Sequence, residues 1–466
     1  MKTGKIILRS VAFLLVLAIA ICVIPGSIFG INSVYNYMRT KTYYSEKKGA
    51  LDAVFLGASS VHRFWLPAAG WQKSGIAVYN LSFSSLPIAT FPYLITEARK
   101  TQPDALYIIN LNTFKFKHAA DTIENFHTVI DYMPLTLDKI RFINSLSKTS
   151  DFSFDQQLEL LFPFIRFHSR WNELQSWSYG TREQKYKSTT FTGNFTKKSV
   201  DYTDRFALFD TRIEPPEDTM QVFTDLLDYL EREHVNVLFV RVPQVLKEQY
   251  CGYLNVMKDL VESRGYPCLD MMSEYKAYGF NPQRDFYDPN HTNIRGALKV
   301  TEYMADYLVE HYHFTDKRGQ ADYADWDLAS REYDALIDTW ILPFEREKSL
   351  WQDLKAPKIS AAKAEKSGIK LTWSASKGAD GYVIYRKASK ENDGHWQLVA
   401  AVGAEELSYM DEALKAQTRY TYCVAPFVDA NGQRAYGNYD IKGASCTSPK
   451  KLRQSSAQEK TGGDGN

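Results

Sequence analysis

Serine, histidine and aspartate stand in this chain at positions from which they could together run acyl-transfer chemistry. Ser59 lies in Gly57-Ala58-Ser59-Ser60, directly after an apolar run at residues 51–56. A glycine there permits a sharp turn that would lift a hydroxyl to the rim of a sheet. Asp288 and His291 share a second turn, Asp288-Pro289-Asn290-His291. A serine is a poor nucleophile at its own pKa. It needs an imidazole to take its proton and a carboxylate to fix that imidazole's tautomer and steady its cation. Each piece alone has an ordinary explanation, since a serine after a strand is commonly a turn residue and Asp or Asn commonly caps a helix. At opposite ends of one domain, each beyond a strand, they read as nucleophile, orienting acid and base.

Such residues need a rigid frame. Apolar runs at residues 51–56, 77–81, 105–109, 235–240 and 266–270 read as buried strands. Helical periodicity at 87–100 and 217–233, in a helix reaching about 264, and at 295–311 alternates with them. That alternation predicts an α/β domain with a parallel sheet between two helical layers, whose ligand sites form beyond the carboxyl ends of the strands. The pattern lapses at about residues 132–215, an aromatic-rich helical insertion. From residue 356 to 447 the chain changes to short alternating strands at sandwich-like spacing. With Leu371 and Trp373 on one strand and Tyr420 opening a late one, this segment resembles a fibronectin type III module. Cys423 and Cys446 could face each other on paired strands or remain two thiols.

The 466 residues carry 56 basic and 55 acidic side chains, 44% apolar and 14% aromatic residues. That composition excludes a disordered or collagen-like chain. A net charge of +1 leaves no basic footprint for nucleic acid. Residues 11–31 run without a charge after Lys2, Lys5 and Arg9, long enough to cross a hydrocarbon core of about 30 Å. The run predicts a single transmembrane anchor with the body on the extracellular side; a cleaved signal peptide is the rival reading, through Ala18-Ile19-Ala20. The expected order is a stub and anchor (1–31), a connector (32–49), the α/β domain (50–315), a helical linker (316–355), the β module (356–447) and a disordered tail (448–466). No Cys/His cluster suggests a metal, and no cofactor is called for.

Residues 51–311 resemble the SGNH (GDSL-like) hydrolase superfamily, with a flavodoxin-like three-layer fold. The anchor, the Gly-Ala-Ser-Ser turn, the insertion with Phe167-His168-Ser169-Arg170-Trp171 and the run from Asp288 to Asn293 before Gly296 look like its membrane-anchored, DltD-like and alginate-acetylase-like branch. The resemblance implies Ser59 as nucleophile, His291 as base then acid, and Asp288 as its orienting partner. It implies an esterase or O-acyltransferase acting on acyl groups of a cell-surface or cell-wall glycan, beside a membrane-bound O-acyltransferase. The family's second block places a glycine where this chain has Ser82, after Asn80. Its third block is matched loosely by residues 109–113. The expected oxyanion donors are therefore the backbone N–H groups of Ser59 and Ser82 and the side chain of Asn112, with Asn110 close behind. These departures also support an alternative, a catalytically idle domain that binds glycan or holds an acyltransferase.

Several side chains have both a functional and a structural reading. His62 and Asn80 could line the site or simply pack. Arg166, His168 and Arg170 could recognise a hydroxylated or anionic substrate or form a solvated, ion-paired face. Trp171 could stack on a sugar or belong to the core of the insertion.

Overall fold

A computed structural model describes residues 2–28, 34–118, 121–149, 152–167, 169, 172, 198–346, 350–388, 395–430 and 432–450. The chain divides into two units, residues 1–333 and 334–466. The first is built on a parallel sheet of β1 (Ala53–Gly57), β2 (Val78–Ser82), β3 (Leu106–Asn110), β4 (Val237–Arg241) and β5 (Cys268–Asp270), in spatial order 2-1-3-4-5. β1 pairs in parallel with β2 on one side and β3 on the other. This is the doubly wound order of flavodoxin-like sheets, and its connections reverse direction between β1 and β3.

All five residues of β1 are buried because both faces of the sheet are covered. Val54 and Leu56 join one core cluster, Ala53 and Phe55 the other. The first face is covered by α5 (Phe91–Arg99), α10 (Glu217–Arg232) and α11 (Glu248–Ser263). The second lies under the short α3 (Val61–Phe64) and the long α12 (Ile294–Tyr312). The lengths follow from parallel pairing, which needs a crossover helix between successive strands and leaves strands apolar on both sides.

The expected connector is instead a helix of the domain, α2 (Val34–Ser45). Its tyrosines explain the difference: Tyr43 is fully buried and donates its hydroxyl hydrogen to the Ala98 carbonyl at 3.0 Å. Amphipathic rings of this kind bury their bodies when the hydroxyl finds a partner. The apolar run at 11–31 is helical to Ile28 within α1 (Lys2–Ile28), and its last residues lie outside the described ones. Among the described residues no helix is long and apolar enough to cross a membrane. The insertion begins earlier than its composition suggested, with α6 (Ile123–Ile130), then α7 (Leu137–Thr149), α8 (Phe154–Leu161) and α9 (Pro163–Phe167). Lys139 is buried in it and donates to the carbonyls of Ile130 and Met133 at the end of α6. The segment carrying Asp288 and His291 is a small hairpin of β6 (Phe286–Asp288) and β7 (His291–Thr292), in which Asp288 and His291 stand opposite each other.

The second unit is a β sandwich. A sheet of β9 (Ile359–Ala364), β10 (Ile369–Trp373) and β13 (Ser408–Asp411) faces a larger one, in which β14 (Arg419–Ala430) pairs with β11 (Gly381–Ala388), β15 (Gln433–Tyr436) and β16 (Ala444–Thr447), and β12 (Gln397–Gly403) flanks β11. Ile369, Leu371 and Trp373 point inward at every second position. The Tyr420 hydroxyl accepts the Lys415 backbone N–H at 3.0 Å, a tyrosine corner. Its larger sheet starts before the expected boundary, because β8 (Leu350–Trp351) pairs with Ala435 and Tyr436. Cys423 and Cys446 form no disulfide with each other; Cys446 stands opposite Tyr420 instead, three residues from Cys423.

Gly57 closes β1 with a φ of +151°, and a Cβ there would stand 2.7 Å from Val61 Cγ2 and 3.0 Å from both Asn110 Cβ and Thr113 Oγ1. Gly57→Ala should therefore cost about 2 kcal/mol through strain and overpacking. Chemical denaturation measures it, and a cost below the error of that measurement would show that the turn relaxes freely.

Candidate active site

The turn after β1 is tied to the chain after β3 before any catalytic geometry arises. Asn110, at the end of β3, donates its amide hydrogen to Ser60 Oγ at 2.7 Å, and Thr113 Oγ1 accepts the Ala58 backbone N–H at 3.3 Å. Ser59 is held between these two ties. On the other side, the 288–291 segment is fastened to the loop after β4. Val245 N–H donates to the Pro289 carbonyl at 2.8 Å, and Gln244 Nε2 donates to the Asn290 carbonyl at 2.9 Å. Asn293 caps α12 through the N–H groups of Arg295 and Gly296. Gly296 is required here, since a Cβ would stand 2.5 Å from the Asp285 carbonyl oxygen.

These supports bring together groups 232 residues apart in sequence. Ser59 Oγ lies 2.8 Å from His291 Nε2. His291 Nδ1 lies 2.9 Å and 2.8 Å from the two Asp288 carboxylate oxygens. Burial works to raise the Asp288 pKa, but the His291 hydrogen bond and charge, with the N–H groups of Asn290 and His291, hold it below the ordinary carboxylate value. An ionised Asp288 requires the hydrogen of neutral His291 on Nδ1, which leaves Nε2 as acceptor for the Ser59 hydroxyl. The three side chains are thus arranged for proton transfer from Ser59 to His291.

Ser59 and His291 open onto a cavity of about 650 Å³, lined among others by Leu86, Ile88, Asn112, Lys115, Phe116, Tyr250 and Tyr253. Among the described residues no cluster of His, Cys, Asp and Glu could hold a metal ion.

Two expected oxyanion donors do not offer a hydrogen to the cavity. The Asn112 amide donates to the Val242 carbonyl at 3.0 Å and to Gln244 Oε1 at 3.1 Å, using both hydrogens, while its oxygen accepts the Val242 N–H. Its backbone N–H donates to Asn110 Oδ1. Ser82 is fully buried and absent from the cavity wall. The next residue, Phe83, donates its N–H to the Gly57 carbonyl, so alternation along a parallel strand turns the Ser82 backbone the other way. On that side the Arg39 guanidinium donates to its carbonyl. The Ser59 backbone N–H, by contrast, meets no acceptor among the described residues.

The proposed substrate contacts divide similarly. His62 is buried behind the turn with Nδ1 3.0 Å from Ser82 Oγ, and burial, then the charges of Arg39, Arg63 and His291, push its pKa well below the usual value. Asn80 donates to the Trp65 carbonyl. Arg166 is ion-paired with Glu124 and packs against the Phe167 ring. None of these three lines the cavity. For His62 and Arg166 this is the structural one of the two readings the sequence left open, since nearness to the nucleophile turn does not say which way the His62 side chain faces. His168, Arg170 and Trp171 lie outside the described residues.

Sequence reading also missed a residue. Lys115 is buried, lines the cavity, and donates to Gln244 Oε1 at 2.8 Å and Asn290 Oδ1 at 2.7 Å. It ends the 3-10 turn Leu111–Lys115 directly after β3. Its signal in the sequence is its place in a loop after a strand, two residues beyond Thr113.

No family model matches the chain, and no curated protein is similar to it. Among solved structures, a fibronectin type III domain of human collagen XX is similar at 24% identity, over 21% of this chain and 97% of that domain, with a TM-score of 0.17. A Fn3-like protein from Clostridium thermocellum is similar at 24% identity, over 22% of this chain and 100% of that protein, with a TM-score of 0.17. The kinase region of twitchin from C. elegans is similar at 14% identity over 23% of this chain, with a TM-score of 0.17, and the match spans only 18% of that region.

Burial pushes the Lys115 pKa down to about 8, against the charges of Asp288 and Cys251, which raise it. Above pH 8 the folded chain then sheds a proton that the unfolded chain keeps to about pH 10.4, so stability must rise with pH in that window. Wild type should accordingly gain on Lys115→Met by about 1 kcal/mol per pH unit between pH 8 and 10. Comparing the two proteins cancels the titration of their other groups. Denaturation midpoints that keep a constant separation would contradict an ammonium held at low pKa.

Proposed function

We propose that the first unit is an SGNH-type serine enzyme that transfers an acyl group through a Ser59 acyl-enzyme. The observation that carries this reading is the continuous hydrogen-bonded path from Ser59 Oγ through His291 to Asp288. In the first step Ser59 Oγ attacks an ester carbonyl while His291 Nε2 takes its proton, and the Ser59 N–H donates to the developing oxyanion. Collapse breaks the bond to the alcohol, which leaves with the proton from His291. A second acceptor then attacks the acyl-enzyme by the same route in reverse. Water as acceptor makes an esterase, and a sugar hydroxyl makes an O-acyltransferase.

The aromatic wall of the cavity, with Phe116 and Tyr250 ring centroids 5.9 Å apart, suits a sugar ring, which supports an acylated glycan as substrate. The exposed apolar side chains of α1, among them Ile6, Leu8, Phe13 and Val16, support anchoring at a membrane with the body outside, on a cell-surface or cell-wall glycan and beside a membrane-bound O-acyltransferase. A second reading is favoured by the committed amide of Asn112 and the burial of Ser82 away from the cavity: an idle domain that binds glycan or holds an assembly partner without turnover.

Hydrolysis of 4-nitrophenyl acetate separates the two readings. Ser59→Ala should lower kcat/KM by about a thousandfold or more, and Asp288→Asn by a similar factor with an unchanged circular dichroism spectrum. Equal rates for wild type and Ser59→Ala would remove the enzyme reading. Partition of the acetyl group between water and added oligosaccharide, followed by mass spectrometry, then assigns esterase or transferase.

A further inference from the structure

The Lys115 ammonium is buried without an acid to match it. Its exposure is 4%, its two hydrogen-bond acceptors, Gln244 and Asn290, are neutral amides, and its Nζ lies 4.9 Å from the centroid of the Phe116 ring. Among the described residues no carboxylate lies within ion-pair distance of it. An ammonium has three hydrogens, and two of them are used. Burying an ion costs several kcal/mol unless a counter-charge completes it. Asp288 acts on Lys115 through space by its charge, and its hydrogen bonds go to His291. Asp121, also on the cavity wall, is paired with His118, and Lys117 adds a second positive charge to the same wall. Neither carboxylate pairs with Lys115, and its third hydrogen has no acceptor among the described residues.

We propose that Lys115 is the anion-binding end of the substrate pocket and that the ester turned over at Ser59 carries a carboxylate. The proposal rests on the acyl-transfer reading of Ser59 and names its substrate class. The fixed amides of Gln244 and Asn290 hold the ammonium in place, and Asn290 neighbours His291 in sequence, so charge recognition and the reacting ester share one wall of the cavity. A carboxylate reaches this wall from either side of the ester bond, as the far end of a dicarboxylic acyl group or as the acid group of an acylated uronic acid. At neutral pH the lysine is still protonated, since burial brings it only to about 8.

Two pairs of substrates distinguish those sources. Mono-4-nitrophenyl succinate against 4-nitrophenyl acetate tests the acyl side, and O-acetylated galacturonate oligomers against O-acetylated galactose oligomers test the alcohol side. Wild type should favour the charged member of one pair by about tenfold or more in kcat/KM, the range of a charge-assisted hydrogen bond. Lys115→Met and Lys115→Gln should bring that ratio near one, chiefly through KM, and Lys115→Arg should keep most of it. Thermal melting confirms that each variant is folded. A ratio that is the same in wild type and in every folded variant overturns the proposal. If wild type turns over none of the four esters, the acyl-transfer reading fails on its own. Calorimetric titration with free succinate and free galacturonate then decides the charge site: binding lost in Lys115→Met upholds it, and no binding to wild type overturns it.

Discussion

The attachment of the β1 turn to the end of β3 is the constraint on which the rest of the site depends. Both strands end at the point where the sheet's connections reverse, so the two chains leave in opposite directions and open a crevice between them. Gly57 lets the turn approach the β3 side to a distance that a Cβ would forbid. The bonds from Asn110 to Ser60 and from Ala58 to Thr113 hold it there. Ser59 is thereby fixed on a rigid support before the histidine arrives, which is the condition for a reactive geometry that does not have to be assembled on binding.

The histidine reaches it through a second set of ties. Gln244 connects three parts of the site at once: its oxygen accepts from Asn112 and Lys115, and its amide nitrogen donates to the Asn290 carbonyl. Asn112 in turn is bonded on both faces of its amide to Val242 and Gln244. A side chain bonded in this way positions its neighbours and has nothing left to donate. The polar residues around the site therefore divide by satisfaction: those with every donor used build the scaffold, and Ser59, His291 and Lys115 face the cavity. Ser82, His62 and Arg39 form a comparable buried group behind the turn and link α2 to β2.

Buried charges in this chain are met in two ways, by a counter-charge or by neutral hydrogen-bond partners. In the sandwich, Asp411 is buried with full compensation, accepting from the Arg386 guanidinium at 2.8 Å and the Tyr422 hydroxyl at 2.8 Å. That is the ordinary treatment of an interior charge. Lys115 receives neutral partners, as Lys139 does in the insertion, and differs from Lys139 in lining the cavity.

Composition and pattern determined the frame in advance. Continuous apolar runs are what parallel strands covered on both faces must look like, period-two alternation is what a sandwich must look like, and a hydroxyl after the first strand with an Asp-Pro-Asn-His turn near the end marks where to search. Strand order and the facing of side chains were out of reach, because they depend on contacts between segments far apart in sequence. Whether Asn112 donates to an oxyanion or to Val242 depends on where β4 ends, and the direction of the Ser82 backbone depends on its register with β1. The burial of Lys115 depends on Gln244 and Asn290, 129 and 175 residues away. Sequence therefore determined which residues could do chemistry, and only the tertiary structure decided which of them had hydrogens and charge left to do it with.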